Sequence, residues 1–149
     1  MVSEIAHVGV TVSDIERSIA FYRDAVGLEL IGRMVMEGGS TDRLFVSDGC
    51  RAEVAYLRKG RSDCPPLELI QFTSRDADAE PADLFRTSIS EICFLTDDIW
   101  ADYDRMRGLG VDFLSEPQEF DSTEYGLGRS IAVYFRDPDG IVMELIQNL

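Results

Sequence analysis

Two glutamates stand in the same four-residue frame, Glu-Leu-Ile-Gln, at residues 68–71 and again at 144–147. Each frame lies in an apolar run, Pro66-Leu-Glu-Leu-Ile-Gln-Phe72 and Ile141-Val-Met-Glu-Leu-Ile-Gln147. A carboxylate turned toward a core is costly unless a cation or a hydrogen-bond network compensates it. Two such carboxylates at equivalent places point to one shared cation. The repeat also reaches further back. Residues 5–15, Ile-Ala-His-Val-Gly-Val-Thr-Val-Ser-Asp-Ile, align without a gap on residues 89–99, Ile-Ser-Glu-Ile-Cys-Phe-Leu-Thr-Asp-Asp-Ile. His7 then falls on Glu91, and the metal-capable residues His7, Glu68, Glu91 and Glu144 form two equivalent pairs.

The elements that must position these residues follow from local pattern. Residues 5–12 alternate, with Ala6, Val8, Val10 and Val12 on one strand face and Ile5, His7, Gly9 and Thr11 on the other. Ser13 and Glu16 give a capping-box signal. Ile15, Ile19, Tyr22 and Val26 continue at helical spacing until Gly27. Strands are expected over 28–36, 51–57 and 66–72. Gly38-Gly39 reads as a turn, residues 41–48 as irregular or weakly extended and 59–66 as a loop. Residues 76–86, acidic and rich in alanine, are the candidate linker between two modules spanning about 1–75 and 87–149 of one domain.

The second module repeats the order. A strand over 88–96 precedes a helix capped by Asp97 or Asp98 and carrying Ile99, Tyr103 and Met106, closed by Gly108 and Gly110. A short strand over 111–114 and a long loop over 117–128 follow. The last strands, 129–135 and 141–145, flank the turn Arg136-Asp-Pro-Asp-Gly140. The expected class is α+β, with two βαβββ modules whose mixed sheets form one cupped surface carrying the four metal-capable residues.

Bulk composition narrows the function. With 28 acidic against 14 basic residues the net charge is −14, which repels nucleic acid and anionic membranes. Cys50, Cys64 and Cys93 are odd in number and lack Cys-x-x-Cys spacing, so neither a disulfide framework nor a thiolate zinc site is indicated. No stretch is long enough to span a bilayer as a helix and no leader pattern opens the chain, so the expected setting is the cytoplasm. Phosphate-loop, nucleophile-elbow and dinucleotide motifs do not occur.

The sequence resembles the vicinal oxygen chelate superfamily, which includes glyoxalases, methylmalonyl-CoA epimerases, extradiol dioxygenases and bleomycin resistance proteins. The resemblance is carried by His7-Val-Gly-Val, by residues 13–24, Ser-Asp-Ile-Glu-Arg-Ser-Ile-Ala-Phe-Tyr-Arg-Asp, by Gly27-Leu, by Phe135-Arg-Asp-Pro-Asp-Gly140 and by Glu144-Leu. It implies a divalent metal held by His7 and Glu68 from one module and by Glu91 and Glu144 from the other. Glu91 departs from the histidine that many enzymatic members carry there. One histidine and three carboxylates suit Zn²⁺, Mn²⁺ or a similar ion, with a formal charge of −1 if all bind, and argue against extradiol oxygenation at iron.

The resemblance further implies proton abstraction α to a carbonyl of a small oxygenated substrate, with Glu144 and Glu68 as acid and base on opposite faces. Among relatives it is most similar to epimerases, in particular those acting on cyclitols such as 2-epi-5-epi-valiolone. The sparse positive charge, with Lys59 the only lysine, makes a poor host for coenzyme A. A glyoxalase-type lyase is the alternative enzyme, and a metal-free drug-sequestering resistance protein the alternative from another class. Arg43, Tyr125 and Arg129 are candidate substrate contacts, and a homodimer is expected.

Overall fold

The computed structural model describes residues 3–60, 63–77 and 83–149. The chain divides into two compact units, Met1–Ala79 and Glu80–Leu149. The fold is α+β, and among the described residues each unit carries one mixed sheet and few helices.

In the first unit β1 (Val8–Thr11), β2 (Glu29–Glu37), β3 (Arg51–Arg58) and β4 (Leu67–Phe72) form a sheet of order β1-β4-β3-β2. β1 runs parallel to β4, while β4 with β3 and β3 with β2 are antiparallel. The crossover from β1 is α1 (Ile15–Phe21), which lies against β3 and β4 and continues through a π turn, Tyr22–Val26, to Gly27 at φ 81°. Glycine suits that left-handed stop because it lacks the Cβ that penalises positive φ. Ile15, Ile19 and Tyr22 are buried over Leu57, Leu67 and Leu69 of the sheet.

Two local expectations are corrected here. The helix cap is Asp14, whose side chain accepts from the Arg17 N–H at 3.0 Å; Ser13 instead accepts from the Arg17 guanidinium. Residues 39–45 are a helix, α2 (Gly39–Phe45), where irregular chain was expected. Two turns are too short for periodicity to show. Tertiary ties stabilise them, with Asp42 Oδ1 accepting from the Cys50 N–H at 2.8 Å and Phe45 edge-on to Phe72 at 5.0 Å.

In the second unit β5 (Ile92–Leu95), β6 (Asp112–Phe113), β8 (Arg129–Arg136) and β9 (Val142–Asn148) take the same order, β5-β9-β8-β6. α3 (Ile99–Gly108) makes the crossover, capped by Asp98, which accepts from Ala101 N–H. The loop expected over 117–128 is partly a strand, β7 (Gln118–Asp121), paired antiparallel with β8. All four of its residues are exposed, so no buried alternation announces it.

The strand expected over 88–96 shrinks to Ile92–Leu95. Its parallel partner supplies the reason, since Ile92 pairs with Met143 and β9 begins one residue earlier. His7 and Glu91 thus each precede the first ladder position of their strand, where they were expected within it. Residues 78–82 of the acidic segment offered as a linker lie outside the described residues.

Candidate functional site

Register explains why the two glutamates recur. In the first unit Gly9 on β1, Glu68 on β4, Tyr56 on β3 and Gly32 on β2 form one row across the sheet. Side chains along a strand alternate between faces, so Glu68 points away from the face packed under α1, while Gln71, an odd number of positions on, points toward it. Gln71 Oε1 accepts from the Ile15 N–H at 2.9 Å, satisfying the first orphan donor of the helix, and its amide donates to Ser13 O at 3.0 Å. The second unit repeats the device, with Gln147 Oε1 accepting from the Ile99 N–H at 2.9 Å. The tetrapeptide therefore ties one face of each sheet to a helix start and gives the other face a carboxylate.

Glu68 is buried at 7% exposure, and both of its oxygens are occupied. Oε1 accepts from the Tyr56 hydroxyl, and Oε2 lies 3.2 Å from His7 Nε2. The Tyr56 and His7 rings meet edge-on, 6.0 Å between centroids. A Cβ on Gly9 would come within 3.3 Å of Oε2, so the carboxylate fills space that glycine leaves. The hydrogen bond to Glu68, with burial and the carboxylate charge behind it, pushes the Tyr56 hydroxyl up to about 12. It remains a donor at any physiological pH.

In the second unit the corresponding row is Cys93, Glu144 and Tyr134. Burial, then a hydrogen bond to Glu144, then the charges of Glu144 and Glu91 push the Cys93 thiol up to about 12. Burial and the charges of Glu144, Glu91 and Cys93 raise Tyr134 as well. Glu91 and Glu144 thus act electrostatically on the same two side chains. Glu144 is half-buried, less enclosed than Glu68.

An imidazole nitrogen beside a carboxylate oxygen, and a second pair made of two carboxylates, are donors that suit a hard or borderline dication. Within neither unit do three or more His, Cys, Asp or Glu side chains gather into a metal cluster among the described residues. The other sequence candidates lie apart from these rows. Arg43, on α2, donates to Ser40 Oγ at 3.3 Å; Arg129 pairs with Glu119 at 3.3 Å; Tyr125 is exposed on a short 3-10 turn. A hollow of about 480 Å³ in the first unit is lined by Ser13, Gln71, Thr73, Arg75 and Asp76, and neither His7 nor Glu68 borders it.

Sequence reasoning passed over Tyr56 and Tyr134. The signal was present as a further repeat, Tyr-Leu-Arg58 against Tyr-Phe-Arg136, one hairpin upstream of each glutamate. Cys93 was weighed only for disulfides and a thiolate zinc site, although the gapless alignment sets it on Gly9.

Comparison with known proteins agrees with this architecture. The chain is 30% identical to the uncharacterized protein YwbC of Bacillus subtilis over 149 residues, 99% of each chain. It is 25% identical to a probable lactoylglutathione lyase of Synechocystis sp. over 143 residues, covering 96% of this chain and 94% of the relative. A glyoxalase family protein from Bacillus cereus has the same fold, with a TM-score of 0.84 at 22% identity over 100% of this chain and 96% of its own. The model of the glyoxalase/bleomycin resistance protein/dioxygenase superfamily matches residues 4–145, and the chain belongs to that superfamily.

Proposed function

We propose that the protein is a metal-dependent epimerase or isomerase that removes a proton α to a carbonyl of a small oxygenated substrate. The superfamily is commonly enzymatic and its members often bind a divalent metal. The observation that carries the reading is the pair of matched rows, in which each unit sets a glutamate across the ladder from a tyrosine, with His7 beside Glu68 in one and Glu91 acting on the same Tyr134 and Cys93 side chains as Glu144 in the other. A binding protein has no need of two carboxylates kept in equivalent, partly desolvated places, because that placement is costly without a charge to meet.

His7 and Glu68 in one unit and Glu91 and Glu144 in the other are the residues that would hold a divalent ion such as Zn²⁺ or Mn²⁺, and that ion would supply positive charge where negative charge develops on the substrate oxygen. Glu144, the less enclosed carboxylate, takes the proton while the C–H electron pair stays with the substrate. Delivery of a proton to the same carbon from the opposite face, by Glu68, gives the epimer; delivery to the neighbouring atom gives the isomer. Cys93 and Tyr134 stay protonated beside Glu144. The net charge of −14 favours a neutral substrate over a polyanion, and a sugar-derived cyclic hydroxyketone such as 2-epi-5-epi-valiolone fits that chemistry.

The test is solvent deuterium exchange into hydroxyketones by the Zn²⁺- or Mn²⁺-loaded protein. We expect exchange at the α carbon, and a drop of about 10²- to 10⁴-fold on Glu144→Gln, the range for loss of a general base. Substantial exchange retained by that variant refutes the role given to Glu144. A second reading, a glyoxalase-type lyase, is favoured by the likeness to the probable lactoylglutathione lyase. Turnover of a glutathione hemithioacetal, with no exchange into hydroxyketones, would establish it instead.

A further inference from the structure

We propose that Tyr56 is a positioning residue that decides which oxygen of Glu68 is offered to the cation, making Glu68 the fixed carboxylate of the site. The inference rests on the metal-dependent reading above and deepens it. A glutamate carboxyl turns readily about its last torsion, where the preferences are broad and nearly two-fold, so a strand alone does not select an oxygen. Here the selection is made by neighbours. Tyr56 stands directly across the ladder from Glu68 and donates to Oε1, while Oε2 is left toward His7 Nε2 at 3.2 Å. Gly9, on the other side of Glu68, gives Oε2 its room.

The donor is itself well fixed. Tyr56 has ladder partners on both sides, Glu68 on β4 and Gly32 on β2, and its ring rests edge-on to His7. Its hydroxyl therefore holds a buried carboxylate that would otherwise lack a compensating donor on that oxygen. The second unit is built differently at the same register. Tyr134 faces Glu144, but the hydrogen bond that bears on Glu144 comes from the Cys93 thiol, a weak donor. A rigid phenol holds one glutamate and a soft thiol the other, which leaves Glu144 the freer of the two to accept a proton.

The decisive measurement is Zn²⁺ affinity of the full, metal-free chain, by competition with a chromogenic chelator, for wild type, Tyr56→Phe and Tyr134→Phe. Orienting partners of ligating carboxylates are worth about 10- to 100-fold in metal affinity. We expect Tyr56→Phe to weaken Zn²⁺ binding within that range and also to lower the thermal midpoint of the metal-free protein, because a buried carboxylate oxygen loses its donor, and Tyr134→Phe to weaken Zn²⁺ binding by less than about 3-fold. In a Glu68→Gln background Tyr56→Phe should add no further loss, because the two residues act as one unit. Unchanged affinity in Tyr56→Phe, equal losses in both tyrosine variants, or additive losses in the double variant would each overturn the proposal while leaving the metal-dependent reading intact. Failure of the wild type to take up Zn²⁺ would overturn both.

Discussion

Cys93 offers a direct readout of the environment around Glu144. The thiolate is the form that alkylates, and burial together with Glu144 and Glu91 pushes this thiol up from 9.0 to about 12. At pH 8.5 the thiolate fraction is therefore suppressed, and although Cys64 and Cys93 are both exposed, iodoacetamide should label Cys64 well before Cys93. Glu144→Gln removes a negative charge beside the thiol, which lowers its pKa and should accelerate labelling of Cys93 by about tenfold. Peptide mapping of the time course reads both effects, and an unchanged Cys93 rate in the variant would disconnect the thiol from Glu144. At this scale His7, Glu68, Glu91 and Glu144 could be read from residue type and repetition. The tyrosines could not be weighed, because an aromatic residue in a strand fits a core as well as a site and only register across the ladder tells the two apart.

At the scale of elements the lesson lies in Gln71 and Gln147. Each adds to the aspartate cap of the helix's own sequence an acceptor from a distant strand, so strand position and helix start are set together. Gln71→Ala leaves the part-buried Ile15 N–H without its partner and should cost about 1–2 kcal/mol in urea unfolding. Gln71→Glu, which keeps an acceptor, should recover most of that loss; equal losses in both would show that the bond is not the cause. Both crossover helices and the β1 to β4 order were legible, since Asp14 or its neighbour, Asp98, Gly27 and the apolar spacings are local signals. α2 and β7 were not, because each is short and held by contacts that no local pattern records, the Asp42 to Cys50 bond for one and pairing with β8 for the other.

For the whole molecule, no helix among the described residues is long and apolar enough to cross a membrane, and the large acidic excess argues against nucleic acid as a partner. The same excess favours cations. An ion present at about 100 times its dissociation constant stabilises a folded protein by about 2.7 kcal/mol. For a chain of this length that corresponds to a rise of roughly 5–11 °C in the thermal midpoint. Adding Zn²⁺ or Mn²⁺ to chelator-treated protein should produce such a shift, while Mg²⁺ serves as a comparison; no shift with any of the three would remove the metal from the functional reading. The two-module plan was visible because the repeat aligns without a gap over residues 5–15 and 89–99, whereas substrate choice is not written in any repeat.

The matched rows also show which positions the two halves share and which they do not. Between the halves the glutamine latch, the aspartate cap, the tyrosine and the glutamate are kept, while histidine gives way to glutamate and glycine to cysteine on the open face. Scaffold and chemistry are thus addressed by different positions of the same strand. A lineage built this way can exchange what it recognises by editing His7, Gly9, Glu91 or Cys93 and never touch the residues that make it fold.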